Sequence, residues 1–273
     1  MIKPGEIQQK AQKAGVRDQQ IEKDYVLSWI LQGIAKHENI SRELVFKGGT
    51  ALKKFYFKGY RFSEDLDFTL LSNRPSNDQI VAWFGDVFEY VKEESNIPLK
   101  LIDSSKHHDE SINFYISYIG PLGGLEAKKR VKVDISRSEI LSSEPVSMAA
   151  ILEYTDQEDH KLLCYSLEEV LVEKLRCVMQ RMEPRDFYDI WYLLAIHKVD
   201  MAFLAGQFKE KCEAKELNPG EFHEKLDHRL QKYKARWKKS MRDQIHNLPD
   251  FEQVERETLR QLRDWLWHLC YPN

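Results

Sequence analysis

Two acidic residues, Asp65 and Asp67, stand one residue apart in the chain. They alternate with Leu66 and Phe68, and this alternation predicts a β-strand. Side chains at positions i and i+2 of a strand point to the same face, so both carboxylates should project together. Two carboxylates side by side on a rigid strand are typical of a site that binds divalent cations and phosphate groups.

A glycine turn, Gly48-Gly49-Thr50, precedes the acid pair. The apolar run Leu44–Phe46 predicts a short strand before it, and the residues from Thr50 to Phe57 predict a helix after it. Backbone amides in such a turn can bind phosphate oxygens. Beside the acid pair, the turn favours a bound nucleoside triphosphate.

A third acid, Asp134, lies in a further predicted strand, Arg130–Ser136. Its alternation places Lys132, Asp134 and Ser136 on the face opposite the valines and the isoleucine. Asp134 could be a surface acid of a hairpin or a third metal ligand. The neighbouring acid pair favours the ligand role, in a site where two Mg²⁺ ions activate an attacking oxygen and stabilise departing pyrophosphate.

A lysine, Lys174, falls on the apolar side of a helix predicted from Ser166 to Arg181. Burying a lysine without compensation is costly, and the phosphates of a nucleotide could supply the anion. Alternatively, its stem packs while its ammonium reaches water. Asp186, close after Pro184, could cap a helix, hold Lys174 in place or act on the substrate.

The bulk composition is that of a soluble globular protein. The chain has 273 residues and a net charge of −3, so any nucleic-acid surface must be local. No apolar run is long enough to span a membrane, and the N-terminus lacks a signal-peptide core. The four scattered cysteines indicate neither disulfides nor zinc. We therefore expect a cytoplasmic protein without membrane contact.

The order of predicted elements indicates an α+β fold with two domains. Residues 1–160 should form a core domain with a mixed sheet and an N-terminal helix, and residues 161–273 a helical domain. In the latter, the segment Arg229–Arg242 has seven Lys or Arg residues and no acid. This segment is either an RNA-binding surface or an ordinary amphipathic helix with a solvated basic face.

Five motifs in this order resemble the AbiEii/AbiGii nucleotidyltransferase toxins. They are Phe46-Lys47-Gly48-Gly49-Thr50-Ala51-Leu52, Arg61-Phe62-Ser63-Glu64-Asp65-Leu66-Asp67-Phe68, Val133-Asp134-Ile135, Glu173-Lys174-Leu175 and Arg185-Asp186-Phe187-Tyr188-Asp189. The resemblance implies a polymerase-β-like nucleotidyltransferase core that uses Mg²⁺ and an NTP. It also implies a toxin of a bacterial toxin–antitoxin or phage-defence pair with a winged-helix antitoxin. Some relatives, the MenT toxins, transfer nucleotides to tRNA acceptor ends.

The resemblance assigns roles to residues of this chain. Gly48, Gly49 and Thr50 match the phosphate loop, although many nucleotidyltransferases have serine in place of the threonine. Asp65 and Asp67 match the metal-binding pair, with Asp134 as the superfamily's third acid, which this family does not always use. Lys174 and Asp186 match the family's helix lysine and late acid, and Arg61 and Ser63 would make secondary contacts with the nucleotide.

Three other functions remain open at this stage. A nucleotidyltransferase could modify a small molecule or a protein side chain instead of RNA. A nucleotidyltransferase-like module could bind RNA or a partner without chemistry, although three aligned acids argue against a dead site. A nuclease could use the same acids, but the glycine turn suits a bound triphosphate better.

Overall fold

The computed structural model describes residues 1–72, 74–108, 111–124, 129–202 and 204–270. The chain divides into two units. The first comprises Met1–Glu139 and Pro145–Cys164, and the second Ile140–Glu144 and Tyr165–Asn273.

The first unit is built on a mixed β-sheet. Its strands are β1 (Leu44–Lys47), β2 (Asp65–Leu70), β3 (Leu99–His108), β4 (Ser111–Tyr118), β5 (Arg130–Ser136), β6 (Val146–Ala149) and β7 (Lys161–Cys164). Their order in the sheet is β3-β4-β5-β2-β1-β7-β6. The pairs β2–β5 and β1–β7 are parallel, and the other neighbouring pairs are antiparallel.

Helices of the first unit surround this sheet. They are α1 (Pro4–Ala14), α2 (Asp18–Lys36), α3 (Glu38–Glu43), α4 (Gly48–Ala51) and α5 (Asn77–Ser95). A π-helical turn, Leu52–Tyr56, continues α4, so the predicted single helix from Thr50 to Phe57 is a short α-helix followed by a wider turn. Helix α5 begins at a capping box in which the Ser76 and Gln79 side chains bond each other's backbone N–H groups.

The two faces of the sheet differ sharply in polarity. Along β2, β4 and β5, every second side chain is apolar and fully buried, as at Phe68, Phe114 and Val133. Helix α5 packs on this apolar face, where the Phe84 and Phe114 rings meet edge to face at 4.9 Å. Each such buried side chain contributes about 1.5–3 kcal/mol of hydrophobic stabilisation. The intervening residues carry the polar groups to the opposite face.

The described elements of the second unit are helical, in agreement with the change in pattern near Ser166. They are α6 (Leu167–Gln180), α7 (Pro184–Trp191), a π-helical turn (Tyr192–Ile196), α8 (Leu204–Glu213), a 3₁₀ turn (Pro219–Glu221), α9 (Phe222–Met241) and α10 (Phe251–Cys270). Ser166 caps α6 by accepting a hydrogen bond from the Glu169 N–H. Aromatic rings hold the helices together, including Phe187 stacked on Tyr233 at 5.4 Å.

The mixed α and β architecture agrees with the predicted fold class. Strands β3, β6 and β7 and helices α1 and α3 were not predicted from the sequence, because they are short or lack a clear apolar period. β7 pairs with β1, so residues 161–164 belong to the sheet of the first unit. Across the described residues, no helix is both long and apolar enough to cross a bilayer.

Candidate active site

Asp65 and Asp67 lie on the polar face of the sheet, as the alternation predicts. Both are partly exposed, whereas Leu66 between them is fully buried on the apolar face. β2 lies inside the sheet between β1 and β5, so strands on both sides fix the positions of the two acids. A rigid central strand suits groups that must hold a substrate in a fixed geometry.

A row of polar residues crosses four strands at the level of Asp67. Lys47 on β1 pairs in register with Asp67, Asp67 with Asp134 on β5, and Asp134 with Asn113 on β4. Neighbouring strands are about 4.8 Å apart. The register therefore places the third predicted acid directly beside the acid pair.

Asp134 has two polar neighbours on the same face. Lys132 forms an ion pair with Asp134, with 2.6 Å between Nζ and Oδ2. In the orientation that satisfies its amide group, Asn113 donates to the other carboxylate oxygen, Oδ1. Partial burial lowers the pKa of the Lys132 ammonium, but Asp134 and Asp65 outweigh this effect and raise its pKa. Lys132 thus neutralises part of the negative charge that the three acids bring together.

Gly48 lies against the acid pair and requires glycine for two reasons. Its φ of +80° is in the left-handed region, which residues other than glycine rarely adopt. A Cβ atom at this position would lie 2.7 Å from the Oδ2 atom of Asp67. The missing side chain therefore lets the Asp67 carboxylate lie directly against the Gly48 backbone.

Gly49 is in close contact with Arg61 and Ser63. A Cβ atom at Gly49 would collide with the Arg61 guanidinium and lie 3.2 Å from the Ser63 hydroxyl oxygen. Arg61 is 2% exposed, and its Nη1 donates to the Phe62 carbonyl at 3.3 Å. The structure thus brings the glycine turn and both predicted secondary residues together.

Thr50 joins the glycine turn to the strand of the acids. Its buried hydroxyl donates to the backbone carbonyl of Asp65 at 2.6 Å. A hydroxyl has one proton to donate. In this structure, therefore, that proton fixes α4 against β2 at Asp65.

Lys174 belongs to the second unit, where two aspartates neutralise it. Its Nζ lies 2.7 Å from Asp186 Oδ1 and 2.9 Å from Asp189 Oδ2. Arg181 also donates to Asp186, from Nε to Oδ2 at 2.7 Å. Of the alternatives for Asp186, the structure contains the one in which Asp186 holds Lys174 in place. The i, i+3 spacing of the two aspartates on α7 was the available signal that Asp189 shares this role.

The pKa of Asp186 follows from this cluster. Burial raises the pKa of its carboxyl group, but Lys174 and Arg181 outweigh the burial effect and hold the pKa well below its usual range. The Asp186 carboxylate therefore remains charged in a buried position, where the Lys174 and Arg181 cations compensate it.

The oxygen donors of the first unit suit a hard divalent cation. Within the described ranges, no three His, Cys, Asp or Glu side chains come close enough together to hold a metal ion alone. Mg²⁺, however, is often bound by one or two carboxylates together with substrate phosphates and water. Asp65 and Asp67, on the polar face of the sheet beside the Gly48 backbone, fit that mode of binding.

Comparisons with known proteins identify the family and the fold. The model of the nucleotidyl transferase AbiEii toxin family, a type IV toxin–antitoxin system, matches residues 29–264. A search of curated proteins gives no match. The structure resembles a proposed nucleotidyltransferase of Helicobacter pylori, with a TM-score of 0.58 at 20% identity, over 93% of this chain and 97% of the other.

A second solved structure gives the same result. MenT4, a nucleotidyltransferase toxin of Mycobacterium tuberculosis, matches with a TM-score of 0.51 at 14% identity, over 99% of this chain and 100% of its own. At these identities the structural matches establish the fold, whereas the family model covers most of the chain and establishes membership. The chain therefore belongs to the AbiEii family of nucleotidyltransferase toxins of type IV toxin–antitoxin systems.

Proposed function

We propose that this toxin transfers a nucleoside monophosphate from an NTP to an RNA acceptor, the 3′ end of tRNA, and thereby blocks translation. The observation that carries the proposal is the position of Asp65, Asp67 and Asp134 on one polar sheet face beside the Gly48 turn. Family membership supports nucleotidyl transfer as the chemistry. The acceptor and the metal are our inference.

Asp65 and Asp67 would hold two Mg²⁺ ions, with Asp134 as a further oxygen ligand. Bound Mg²⁺ would activate the attacking hydroxyl and neutralise charge on the phosphates. The carboxylate donors and the close approach of the Gly48 backbone to Asp67 support this assignment. Asp134 can take part if its ion pair with Lys132 opens, which would also free the lysine for a phosphate oxygen.

The glycine turn would bind the terminal phosphates through its backbone amides. Arg61 and Ser63 pack against Gly49 and would support the turn and contact the nucleotide. The Thr50 hydroxyl donates to the Asp65 carbonyl, so its own contact with phosphate would require a change of partner. Lys174 would act on the triphosphate only by releasing Asp186 or Asp189.

The reaction balances as a single in-line displacement. The RNA 3′-hydroxyl oxygen attacks the α-phosphorus, a new P–O bond forms, and the bond from the α-phosphorus to the bridging oxygen breaks. Pyrophosphate leaves with the electron pair, and the hydroxyl proton passes to solvent or to a nearby carboxylate. The protein would contribute mainly by positioning the reactants and stabilising charge.

Helix α9 supplies basic side chains for the RNA backbone. Arg229 and Arg236 are already bonded to backbone carbonyls of Val178 and Met182, and so are partly committed to the fold. The remaining basic residues of the segment are exposed, and we call them the basic face of α9: Lys232, Lys234, Lys238 and Lys239 on the helix and Arg242 directly after it. Lys234 and Glu252 form a solvent-exposed ion pair with a distance of 2.9 Å. An RNA phosphate could replace Glu252 as the partner of Lys234.

A type IV toxin has an antitoxin partner. We further propose a winged-helix antitoxin, on the family resemblance, and a role in phage defence. The proposed substrates, NTPs and tRNA, support a cytoplasmic location.

Two alternatives remain for the acceptor and the activity. Transfer to a protein side chain or a small molecule would use the same carboxylates and glycine turn, but it would leave the basic face of α9 without a role. A non-catalytic binding module would leave the register of Asp67 beside Asp134 without a role.

The proposal is tested by incubating the purified protein with each labelled NTP, Mg²⁺ and one acceptor pool at a time. The pools are bulk tRNA, total protein and small metabolites. Label should appear in the tRNA band of a gel, and tRNA whose 3′ end has been oxidised with periodate before the reaction should accept none. Label in protein or small molecules only, or in none of the pools, would contradict the proposal.

A further inference from the structure

The polar face of the sheet extends beyond the acids to an aromatic residue. Asp65 pairs in register with Lys132 on β5, and Lys132 pairs with Tyr115 on β4. Tyr115 is partly exposed, and its chain neighbours Phe114 and Ile116 are buried on the apolar face. Tyr115 therefore stands on the same side as the acids, two interstrand spacings or about 10 Å from Asp65.

An arginine lies over the Tyr115 ring. The Arg130 guanidinium carbon is 4.5 Å from the ring centroid, and Arg130 is exposed at the start of β5. A guanidinium and an aromatic ring in contact present two planar groups, one cationic and one with a polarisable π face. The pair thus combines a planar cation with an aromatic ring, about 10 Å from Asp65.

Planar groups of these two kinds are what proteins use to bind nucleobases. Bases stack on aromatic rings and on arginine guanidinium planes, and each stacked base contributes about 1–3 kcal/mol. The ribose and base of one nucleotide can span the distance from the acids to the pair. The glycine turn lies on the other side of Asp67, toward β1, whereas the Tyr115–Arg130 pair lies toward β4.

We propose that Tyr115 and Arg130 form a nucleobase-stacking site, named here the Tyr115–Arg130 platform. It holds the base of a nucleotide whose phosphate lies at Asp65 and Asp67. The base comes either from the incoming NTP or from the terminal nucleotide of the acceptor, and stacking is the chemistry common to both. The inference rests on the proposed function for the location of the phosphate, but it makes a separate claim about binding.

The platform is tested by equilibrium binding, which does not depend on turnover. Kd values are measured for each NTP with Mg²⁺ and for a short single-stranded RNA, using the wild type, Tyr115→Leu, Tyr115→Phe and Arg130→Gln. Tyr115→Leu should raise the Kd of the ligand that supplies the base by roughly 5- to 150-fold. Tyr115→Phe keeps the ring and should stay within about threefold of the wild type. Arg130→Gln changes an exposed side chain, so it tests the platform even if Tyr115→Leu unfolds.

The matched controls are Trp83→Leu and Arg42→Gln. Trp83 is a partly exposed aromatic residue of α5, which packs on the opposite face of the sheet, and Arg42 is an exposed arginine of α3. Neither control should change either Kd. An increase confined to the NTP assigns the platform to the incoming nucleotide, and an increase confined to RNA assigns it to the acceptor.

The two proposals fail in distinguishable ways. If Tyr115→Leu and Arg130→Gln leave both Kd values unchanged, or if the controls weaken binding equally, the platform is refuted, even when the wild type transfers nucleotides. If the wild type binds neither ligand, the platform is also refuted. If binding depends on Tyr115 but no pool accepts label, the platform stands and the transfer reaction is refuted.

Discussion

Asp67 on β2 and Asp134 on β5 are register partners in a parallel strand pair, so their carboxylates stand side by side on one face of the sheet. Such a pairing of like charges would be unfavourable without compensation. Lys132 supplies it from the same face, at 2.6 Å from Asp134. Lys132 therefore stabilises the close approach of the two carboxylates on this face.

A substitution at Gly48 tests the close contact between the glycine turn and the Asp67 carboxylate. Gly48→Ala should lower the free energy of unfolding by about 1–2 kcal/mol through backbone strain, and its methyl group should displace the Asp67 carboxylate. We therefore expect loss of nucleotidyl transfer, measured with labelled NTP. Gly59→Ala is the matched control: its φ is +76°, but nothing lies within 4 Å of a Cβ there. It should be strained to a similar degree and remain active. Equal activities of the two variants would refute the claim that the contact with Asp67 requires glycine at position 48.

Lys174 should be important for stability. Lys174→Met leaves Asp186 and Asp189 buried without their common partner, and removal of one member of a buried ion pair costs about 3–5 kcal/mol. Urea unfolding followed by circular dichroism should show this loss. Lys232→Met on the exposed side of α9 should change stability by less than about 0.5 kcal/mol. An unchanged urea midpoint for Lys174→Met would show that the cluster contributes no stability.

Asp186 should make stability depend on pH below neutrality. Its folded-state pKa lies below the unfolded value of about 3.9, so its contribution is fully present above that value and is lost as the pH falls through the lower, folded-state pKa. Asp186→Asn should therefore be less stable than the wild type at pH 7, with a smaller difference at pH 3. Urea unfolding at both pH values measures this difference in stability. Asp78→Asn, on the exposed side of α5, should follow the wild type at both. If the stability difference between Asp186→Asn and the wild type is the same at pH 7 and pH 3, the assigned cause of the pKa shift is contradicted.

The basic face of α9 should contribute to RNA affinity through charge. Replacing Lys232, Lys238 and Lys239 with Gln should weaken RNA binding and flatten its salt dependence by about 0.7 in slope for each lost phosphate contact. Filter binding across a salt series measures both quantities. The control variant carries Gln in place of Lys13 and Lys92, which are exposed lysines of the first unit. An unaltered slope in the α9 variant would mean that this face is an ordinary solvated surface.

Local patterns in the sequence were sufficient to place the acids on one face. Alternation at Leu66 and Phe68 predicted the strand, and the same period predicted the face of Asp134 on β5. The partnership of Asp67 with Asp134 could not be predicted, because it depends on pairing between strands far apart in the chain. The ion pair between Lys132 and Asp134 could not be predicted either, because it depends on the side-chain conformations of both residues.

Helical periodicity correctly placed Lys174 on a buried face, but it could not identify the compensating anion. A nucleotide phosphate and a carboxylate from a neighbouring helix satisfy the same requirement, and the structure contains the second. The Thr50 hydroxyl is a similar case. Its residue type suits a phosphate loop, whereas its hydrogen bond to the Asp65 carbonyl depends on how α4 packs against β2.

The most direct test of the central claim is nucleotidyl transfer to tRNA by Asp67→Asn, measured beside the wild type and Asp78→Asn with labelled NTP and Mg²⁺. Asp67 is partly exposed, so the variant should fold with the circular dichroism spectrum and urea midpoint of the wild type. Its transfer rate should fall at least about a hundredfold, while Asp78→Asn stays at the wild-type rate. A folded Asp67→Asn variant that transfers nucleotide at the wild-type rate would contradict the account.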